Sequence, residues 1–294
     1  MDENQSAISK PKACIIGYPA KHSLSPILHR YWINQYRLNA DYRVEEVESE
    51  NIFEFINNLS KKGYIGANVT MPHKDIAFQI SRPDAHAIAV RASNTLWFEN
   101  NILRSTNTDT EGFLNAIDAV FPNWDHHVKE AIVLGAGGAA RAIIYGLVER
   151  GITRINVVNR TLHKATDLRV RFGCSIIPHS WDALPNLIES AKLLVNATSL
   201  GMQGKKPLDI DTKLLSDDSI VCDIVYSPLN TTLLADAKAR NLVVLNGLDM
   251  LLNQAVRGFE LWFGIRPKIT QELYETLVAH IVNAEMADNY YRPI

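Results

Sequence analysis

Apolar and polar positions along most of the chain follow two alternating periods. Short apolar runs, typical of strands buried on both faces of a parallel sheet, alternate with segments whose apolar residues recur every three or four positions, as on one face of a helix. The order strand, helix, strand, helix, strand runs from 13–17 to 64–70, and the same alternation resumes at 130 and continues to 245. The last part, 248–286, shows two helical patterns and no strand pattern. The hydrophobic pattern therefore predicts an α/β protein.

The strongest local signal is a glycine-rich turn between a predicted strand at 131–134 and a helical pattern that ends at Gly151. Residues 135–140 read G-A-G-G-A-A and fit the pattern G-x-G-x-x-[GA]. In this pattern Gly135 allows a tight turn, Gly137 lets the backbone approach a pyrophosphate, and Ala140 lets the helix pack close to its strand. The free N–H groups at the helix N-terminus favour phosphate. The turn predicts dinucleotide binding, and the alternative is a glycine-rich turn that binds no ligand.

The residues after the second strand of this unit indicate which dinucleotide binds. NAD-binding versions place an acidic residue there, which binds the ribose 2′-hydroxyl. This chain instead has Asn159, Arg160 and Thr161, with Lys164 one turn later. The planar guanidinium of Arg160 suits a 2′-phosphate, and the neighbouring residues add donors and charge. We therefore predict NADP rather than NAD, the alternative being a solvated basic helix start.

These patterns predict two α/β domains. A doubly wound, Rossmann-type NADP domain is expected at 110–247. A discontinuous domain with a parallel sheet, the substrate-binding and catalytic domain, is expected at 1–109 together with 248–294, where C-terminal helices complete it.

Composition excludes several classes of partner. The chain has 294 residues, of which 47% are hydrophobic and 21% charged, and its net charge of −2 provides no electrostatic basis for binding nucleic acid or an anionic membrane. Its three cysteines form no disulfide framework and its histidines no metal-ligand spacing, so we expect a cytoplasmic protein with no metal site. No secretory signal and no apolar run of the ~18 residues needed for a membrane span are evident.

Polar loops after the predicted strands are candidates for chemistry, because open α/β sheets bind ligands at the carboxyl ends of their strands. Ser23 and Ser25 follow the first strand, Thr70 and Lys74 follow the third, and Asn94 begins a later strand. Asp109 lies in a cluster of threonine and asparagine. The alternatives are ordinary: the serines and Asp109 cap helices, and Lys74 is a solvated surface residue.

Taken together, the motifs resemble those of the NADP-dependent, biosynthetic shikimate dehydrogenase family. They occur in the family's order and span most of the chain from Ser23 to Gln254: S-L-S-P, N-V-T-M-P-H-K, S-N-T-L, N-T-D-T-E-G, G-A-G-G-A-A-R-A, N-R-T, N-A-T-S-L-G-M, D-I-V-Y and G-L-D-M-L-L-N-Q-A. The resemblance implies an oxidoreductase that reversibly reduces 3-dehydroshikimate to shikimate with NADPH, in chorismate and aromatic amino-acid biosynthesis. It leaves open whether the chain forms a homodimer.

The resemblance also implies a role for each matching residue. Lys74 would be the catalytic acid/base and Asp109 its partner. The other substrate-binding residues would be Ser23, Ser25, Thr70, Asn94, Tyr226 and Gln254, together with Lys74 and Asp109 themselves. The cofactor-binding residues would be Gly135, Ala136, Gly137, Gly138 and Ala139 at the pyrophosphate, Asn159, Arg160, Thr161 and Lys164 at the 2′-phosphate, and Ile224 and Gly247 beside the nicotinamide, with Met250 close by.

The chain departs from the family at two places. The family's usual G-A-V-N-T reads R-A-S-N-T at 91–95, so Arg91 replaces a glycine shortly before a candidate substrate residue. A carboxylate that the family often has before this asparagine falls on Ala85, and no role is carried over there.

Three other functions compete with this interpretation. A quinate/shikimate dehydrogenase that uses NAD tends to have an acid near the position of Arg160. A methylene-tetrahydrofolate dehydrogenase-like protein would not explain S-L-S-P together with N-T-D. A non-catalytic NADP-sensing module would not need Lys74, Asp109 and Gln254 together.

Overall fold

The structure, a computed structural model, describes residues 10–290 and contains two compact units. The first unit comprises the described residues up to Thr108 together with Ala255–Lys268, and the second comprises Asp109–Gln254 together with the described residues from Ile269 onward. The sequence prediction assigned all of 248–294 to the first domain. In the structure the last helix belongs to the second unit, where Tyr274 Oη accepts a hydrogen bond from Asn246 and Glu285 accepts one from the backbone of Leu229. The assignment of a substrate and a cofactor role to the two domains stays a prediction.

The first unit is a mixed sheet flanked by helices. Its strands are β1 (Lys12–Gly17), β2 (Asp41–Glu46), β3 (Tyr64–Val69), β4 (Arg82–Pro83), β5 (Thr95–Glu99) and β6 (Ile102–Thr106). Its helices are α1 (Ser25–Gln35), α2 (Ile52–Asn57), α3 (Lys74–Ile80) and α4 (Ala85–Val90). The strand order is β2-β1-β3-β5-β6-β4. The first three strands are parallel, as predicted, whereas β5 runs antiparallel to both β3 and β6.

A tight hairpin accounts for the antiparallel part of this sheet. Asn100 and Asn101, between β5 and β6, have φ angles of 51° and 62°. Two successive residues in the left-handed region are typical of the type I′ turn, in which asparagine is favoured. Strand β6 is absent from the sequence prediction, although this asparagine pair is a recognisable hairpin signal.

The second unit is a doubly wound parallel sheet. Its strands are β7 (Glu130–Leu134), β8 (Arg154–Val158), β9 (Ile176–His179), β10 (Leu193–Asn196), β11 (Ile220–Asp223) and β12 (Val243–Leu245). Its α-helices are α5 (Asp109–Val120), α6 (Trp124–His127), α7 (Gly138–Glu149), α8 (Leu162–Phe172), α9 (Leu184–Leu187), α10 (Thr232–Ala239), α11 (Gly247–Phe263, shared with the first unit from Ala255) and α12 (Gln271–Tyr290). Short 3₁₀ turns lie at Trp181–Ala183, Ile188–Ser190 and Thr212–Leu214.

The strand order of this sheet is β12-β11-β10-β7-β8-β9, and every pair of neighbouring strands described in it is parallel. The chain winds outward from β7 in one direction through β8 and β9 and in the other through β10, β11 and β12. The order reverses between β7 and β10, so the crevice at their carboxyl ends is the expected ligand site. The four residues at 131–134 are completely buried, as a central parallel strand requires. The predicted α/β fold with two α/β units is confirmed.

Across the described residues, no helix combines the length and the apolar character needed to cross a membrane.

Candidate functional site

The glycine turn after β7 has the geometry that dinucleotide binding requires. Gly135 has a φ angle of 106°, and a Cβ atom there would lie 3.0 Å from the carbonyl oxygen of Ala197, so this position needs glycine. Gly137 is exposed, and a Cβ atom added to it would meet no described atom within 4 Å. Ala140 is completely buried between helix and strand. The turn is therefore closed at Gly135 and open at Gly137, the side from which a pyrophosphate would approach.

Helix α7 begins at this turn, and its first N–H groups are available to a ligand. Its N-cap is Gly137, and no side chain in the described part of the chain caps it. Uncapped N–H groups with the positive end of the helix dipole bind phosphate well. Gly135, Ala136, Gly137, Gly138 and Ala139 thus lie together at the switch point of the sheet and fit the predicted group.

The residues predicted at the 2′-phosphate lie together at the end of the neighbouring strand β8. Arg160 and Lys164 are exposed, whereas Asn159 and Thr161 are half-buried. Asn159 Nδ2 donates to the carbonyl oxygen of Thr161 at 2.8 Å, which holds the turn before α8. No carboxylate directly follows β8. The exposed basic side chains of Arg160 and Lys164 lie instead where the ribose of a dinucleotide is expected.

Ile224 and Gly247, predicted beside the nicotinamide, are in direct contact. A Cβ atom on Gly247 would collide with the carbonyl oxygen of Ile224, so only glycine fits here. Gly247 N also donates to the carbonyl oxygen of Val225 at 3.2 Å. Met250 is buried one turn further along α11, and Tyr226, which follows β11, is half-buried, with burial raising the pKa of its phenol.

Asp109 and Gln254, predicted to bind substrate hydroxyls, belong to two helices that touch. Asp109 is the first residue of α5 and is 5% exposed, and Gln254 in α11 is 9% exposed. A Cβ atom on Gly112 would lie 2.6 Å from Cβ of Gln254, so the glycine permits the close approach of the two helices. Gln254 Nε2 donates to the carbonyl oxygen of Leu251 at 3.0 Å.

In the first unit, the loops after β1 and β3 lie side by side. Tyr18 N donates to the carbonyl oxygen of Met71 at 3.1 Å, and Thr70 N donates to that of Ile16 at 2.9 Å. Ser23 Oγ accepts a hydrogen bond from Ser25 N at 3.2 Å, at the start of α1. Ser23 is half-buried and Ser25 is 3% exposed. The alternative role of the serines as helix caps is not supported, because the N-cap of α1 is Leu24 and no side chain among the described residues caps this helix.

Lys74 and Asn94 are joined through the backbone. The carbonyl oxygen of Lys74 accepts a hydrogen bond from Ser93 N at 2.9 Å, and the carbonyl oxygen of Asn94 accepts one from Val69 N at 2.7 Å. The carbonyl oxygen of Thr70 accepts a hydrogen bond from His73 N at 3.0 Å. The structure thus brings together Thr70, Lys74 and Asn94 at the carboxyl end of β3. Lys74 is half-buried at the start of α3, unlike a fully solvated surface lysine.

Three buried polar residues that were not predicted as site residues hold loops within the two units, two of them in the first unit and one in the second. Asn68 Nδ2 donates to Thr95 Oγ1 at 3.3 Å, and Asn68 Oδ1 accepts from the hydroxyl of Tyr42 at 2.7 Å. His73 is 1% exposed, and its Nε2 lies 2.6 Å from the carbonyl oxygen of Val47, so this nitrogen carries the proton. The motif N-V-T-M-P-H-K contains this histidine, but nothing in the sequence indicated its buried hydrogen bond.

Asp223 is the third of these residues and ends strand β11. It is 2% exposed, and burial raises its pKa to about 6, although hydrogen bonds from Val225, Thr231 and Asn196 oppose that shift. The motif D-I-V-Y marked this position in the sequence, but nothing there indicated that the aspartate is an acceptor at a buried junction.

Models of the shikimate dehydrogenase family match three parts of the chain. The shikimate dehydrogenase substrate-binding domain matches residues 15–96, shikimate/quinate 5-dehydrogenase matches 117–203, and the shikimate 5′-dehydrogenase C-terminal domain matches 247–271.

Individual proteins agree with these matches. The shikimate dehydrogenase (NADP(+)) of Nitrobacter winogradskyi is 52% identical over 92% of this chain and 96% of its own length. The crystal structure of shikimate dehydrogenase from Aquifex aeolicus is 32% identical, has a TM-score of 0.82, and covers 95% of this chain and 99% of its own. Shikimate 5-dehydrogenase from Thermus thermophilus, in complex with NADP(H) and shikimate, is 31% identical with a TM-score of 0.79 over 92% of this chain and 99% of its own. The chain belongs to the shikimate dehydrogenase family.

Proposed function

We propose that this protein is an NADP-dependent shikimate dehydrogenase, which reversibly reduces 3-dehydroshikimate to shikimate in the biosynthesis of chorismate and aromatic amino acids. The observation that carries this proposal is the combination of two features. One is an open glycine turn at the switch point of a doubly wound sheet, followed by basic residues at the end of β8. The other is the set of polar residues joined at the carboxyl end of β3. The relative from Nitrobacter winogradskyi, named for the same activity and cofactor, supports it.

The cofactor is NADP in this proposal. The turn at 135–139 holds the pyrophosphate through backbone N–H groups, since Gly137 leaves room for close approach. Arg160, whose planar guanidinium suits a phosphate, would hold the 2′-phosphate together with Asn159, Thr161 and Lys164. Ile224 follows β11 and Gly247 begins α11 after β12, so both lie at the carboxyl end of the sheet, where ligands bind in this class of fold. Bound NADPH supplies the hydride.

Lys74 is the acid/base of the proposed reaction. As an ammonium group it donates a hydrogen bond to the substrate carbonyl oxygen, which withdraws electron density from the carbon that is reduced, and it then delivers the proton to the new hydroxyl. In the oxidative direction the neutral amine takes that proton back. Asp109 has the role of its partner, accepting hydrogen bonds in its ionised form. The backbone bond from Ser93 to Lys74 supports this assignment because it limits where the lysine can reach.

The remaining polar residues bind the substrate in the proposal. Ser23 and Ser25 hold its carboxylate at the start of α1, with Tyr226 assigned to the same group. Thr70, Asn94, Asp109 and Gln254 bind its ring hydroxyls. Each of these side chains can donate or accept hydrogen bonds, and most are at least half-buried, which favours ordered binding of a polar ring. A homodimer and a cytoplasmic location remain predictions from the sequence.

A single assay tests the proposal. The purified protein is given shikimate or quinate, each with NADP or NAD, and formation of the reduced cofactor is followed at 340 nm. We expect turnover with shikimate and NADP to exceed every other combination. Comparable turnover with quinate and NAD would support the alternative cofactor and substrate, and absence of turnover with all four would support the non-catalytic alternative.

A further inference from the structure

Asp223 lies at a junction of hydrogen bonds next to the crevice of the second unit. Its Oδ1 atom accepts from Asn196 Nδ2 at 2.9 Å and from Val225 N at 3.0 Å, and its Oδ2 atom accepts from Thr231 Oγ1 at 2.8 Å. Asn196 and Asp223 end the adjacent parallel strands β10 and β11. Both carboxylate oxygens are used, and the side chain is almost completely buried.

Asn196 connects Asp223 to the loop after β10 through hydrogen bonds. Its Nδ2 atom donates to Asp223 and to the carbonyl oxygen of Leu200, while its Oδ1 atom accepts from the backbone N–H and the hydroxyl of Thr198. All four hydrogen-bonding positions of the amide are therefore occupied, which defines its orientation. Since Asn196 is completely buried, losing any one of these bonds leaves a polar group without water to replace it.

The loop held in this way forms one side of the glycine turn. A Cβ atom on Gly135 would lie 3.0 Å from the carbonyl oxygen of Ala197 and 3.1 Å from Cγ2 of Thr198. Ala197 N also donates to the carbonyl oxygen of Leu134, at the end of β7, at 2.9 Å. The strand order reverses between β7 and β10, so this loop borders the crevice in which a doubly wound sheet binds its dinucleotide.

Thr231 connects the carboxylate of Asp223 to the end of the loop between β11 and α10. Its hydroxyl donates to Asp223 and accepts from Leu234 N at 3.3 Å, as the N-cap of α10. The segment from Val225 to Thr231 is thus attached to Asp223 at both ends, and it includes Tyr226.

We propose that Asp223 is a positioning residue for the cofactor site, which through Asn196 and Thr231 holds the loops 197–200 and 225–231 in the form that binds NADP. This inference rests on the proposed function for the identity of the ligand. Asp223 does not contact the reacting atoms in this proposal. Its effect is on the affinity for the dinucleotide, because an ordered loop loses less conformational entropy on binding.

The test compares dissociation constants rather than rates alone. The dissociation constants of NADP and of shikimate are measured separately by calorimetry at pH 8, where Asp223 is ionised, for the wild type, Asp223→Ala and Asp223→Asn. Loss of the three accepted hydrogen bonds in Asp223→Ala is expected to raise the dissociation constant of NADP about tenfold or more and that of shikimate by a clearly smaller factor, through Tyr226 on the loop 225–231. Asp223→Asn keeps one acceptor oxygen and is expected to recover most of the affinity.

A second pair of variants covers the case in which Asp223→Ala does not fold. Thr231→Val removes the hydroxyl, and Thr231→Ser is the matched control that keeps it. We expect the valine variant to bind NADP several-fold more weakly and the serine variant to bind it as the wild type does. Hydrogen exchange of the Thr198, Leu200 and Val225 amides, measured without ligand, should be faster in Thr231→Val and unchanged in Thr231→Ser.

The outcomes separate this inference from the proposed function. A wild type that does not bind NADP overturns both. A wild type that binds NADP and oxidises shikimate, together with folded variants that bind NADP equally well, overturns the role of Asp223 alone. An equal loss of affinity for NADP and shikimate also overturns it, since that result indicates general destabilisation.

Discussion

The side-chain oxygen of Asn94 accepts a hydrogen bond from the backbone N–H of Thr108 at 2.9 Å, and its amide nitrogen donates to the Thr108 hydroxyl at 3.0 Å. Asn94 directly precedes β5 and Thr108 lies two residues after β6, so the pair joins the two ends of the hairpin. Both residues are almost completely buried. The bonds orient the amide of a candidate substrate residue and hold the backbone immediately before Asp109.

Replacing Thr108 tests the importance of this orientation. Thr108→Val leaves the buried amide of Asn94 without its hydroxyl partner, and we expect the free energy of unfolding to fall by about 1–3 kcal/mol. Because the amide nitrogen of Asn94 then loses one of the bonds that orient it, kcat/KM for shikimate should fall about tenfold while the dissociation constant of NADP stays unchanged. Thr108→Ser keeps the hydroxyl and is the control. Wild-type kinetics in a folded valine variant would refute the role of this pair.

Lys74 is the residue whose loss should most reduce the rate. Lys74→Ala is expected to lower kcat by about 100- to 10,000-fold, the usual contribution of a general acid/base, with little change in NADPH affinity. Lys74→Arg keeps the charge but cannot exchange a proton near neutral pH, so its kcat should also be low. Steady-state kinetics and a fluorescence titration with NADPH measure both quantities. An unchanged kcat in the alanine variant would contradict the assignment.

Arg160 should determine the choice between NADP and NAD. Arg160→Asp places a carboxylate at the end of β8, where it repels a 2′-phosphate and can accept a hydrogen bond from a ribose hydroxyl. We expect kcat/KM for NADP to fall about tenfold or more and the value for NAD to rise. Lys164→Ala, which removes a charge one turn away, serves as a comparison and should have the smaller effect. Unchanged preference in Arg160→Asp would place 2′-phosphate recognition elsewhere.

The backbone conformation of Arg91 is one that favours glycine, the residue usual at this position in the family pattern. The residue follows α4 with φ 52° and ψ 42°, in the left-handed region where a side chain costs roughly 1–2 kcal/mol. Arg91→Gly removes that cost but adds flexibility to the unfolded chain, so we expect a net gain of about 0.5–1 kcal/mol in the free energy of unfolding. Arg91→Ala loses the guanidinium but keeps the strained backbone, and it should not stabilise the protein. Chemical denaturation of the three proteins measures the difference.

His29 should make the protein less stable in acid. The imidazole is completely buried and stacks on Tyr42 with a centroid separation of 4.2 Å, and neither ring nitrogen has a hydrogen-bond partner among the described residues. Burial lowers its pKa from 6.5 to about 3, so the unfolded chain binds a proton between these values and the folded protein does not. The contribution of His29 to stability is therefore complete above pH 6.5 and decreases by about 1.4 kcal/mol per pH unit as the pH falls toward 3.

A phenylalanine variant isolates this effect. His29→Phe keeps an aromatic ring in the same cluster but does not titrate, so we expect its stability relative to the wild type to increase steadily from pH 6.5 to pH 4. The raised pKa of Asp223 acts in the opposite direction between its unfolded value and about 6, but it is common to both proteins and cancels in the comparison. A difference between the two proteins that does not vary with pH would refute the assignment.

Local sequence signals were sufficient to predict those parts of the fold that depend on residues adjacent in the chain. The turn at Gly135 was predictable because a strand, a glycine with positive φ and a helix follow one another without interruption. The two C-terminal helices and the first three parallel strands were predictable for the same reason. Strand β6 lies outside the predicted pattern, and its only local signal is the asparagine pair of the hairpin turn before it.

The site could be predicted less completely than the fold. Lys74 and Asn94 were identified as separate motifs, but their connection through Ser93 N depends on how β5 pairs with β3. Asp223 belongs to the motif D-I-V-Y, but its partners Asn196, Val225 and Thr231 do not form a local pattern with it. Hydrogen bonds between residues distant in sequence leave no local pattern, so these roles required the structure.

The aromatic packing of the first unit has a consequence for the order in which the protein is synthesised. Trp262 Nε1 donates to the carbonyl oxygen of Leu96 at 2.8 Å, and Trp32 Nε1 donates to that of Lys268 at 3.1 Å. The side of the first sheet that these residues cover is therefore incomplete until residues 255–268 have been made, long after its strands have left the ribosome. Two buried clusters of the second unit draw their residues from 113–250, although Leu273, Leu277 and Ile281 of α12 are also buried. The first sheet to be made is thus covered only after the residues of both clusters in the second unit have been made, although domains generally fold in the order of their synthesis.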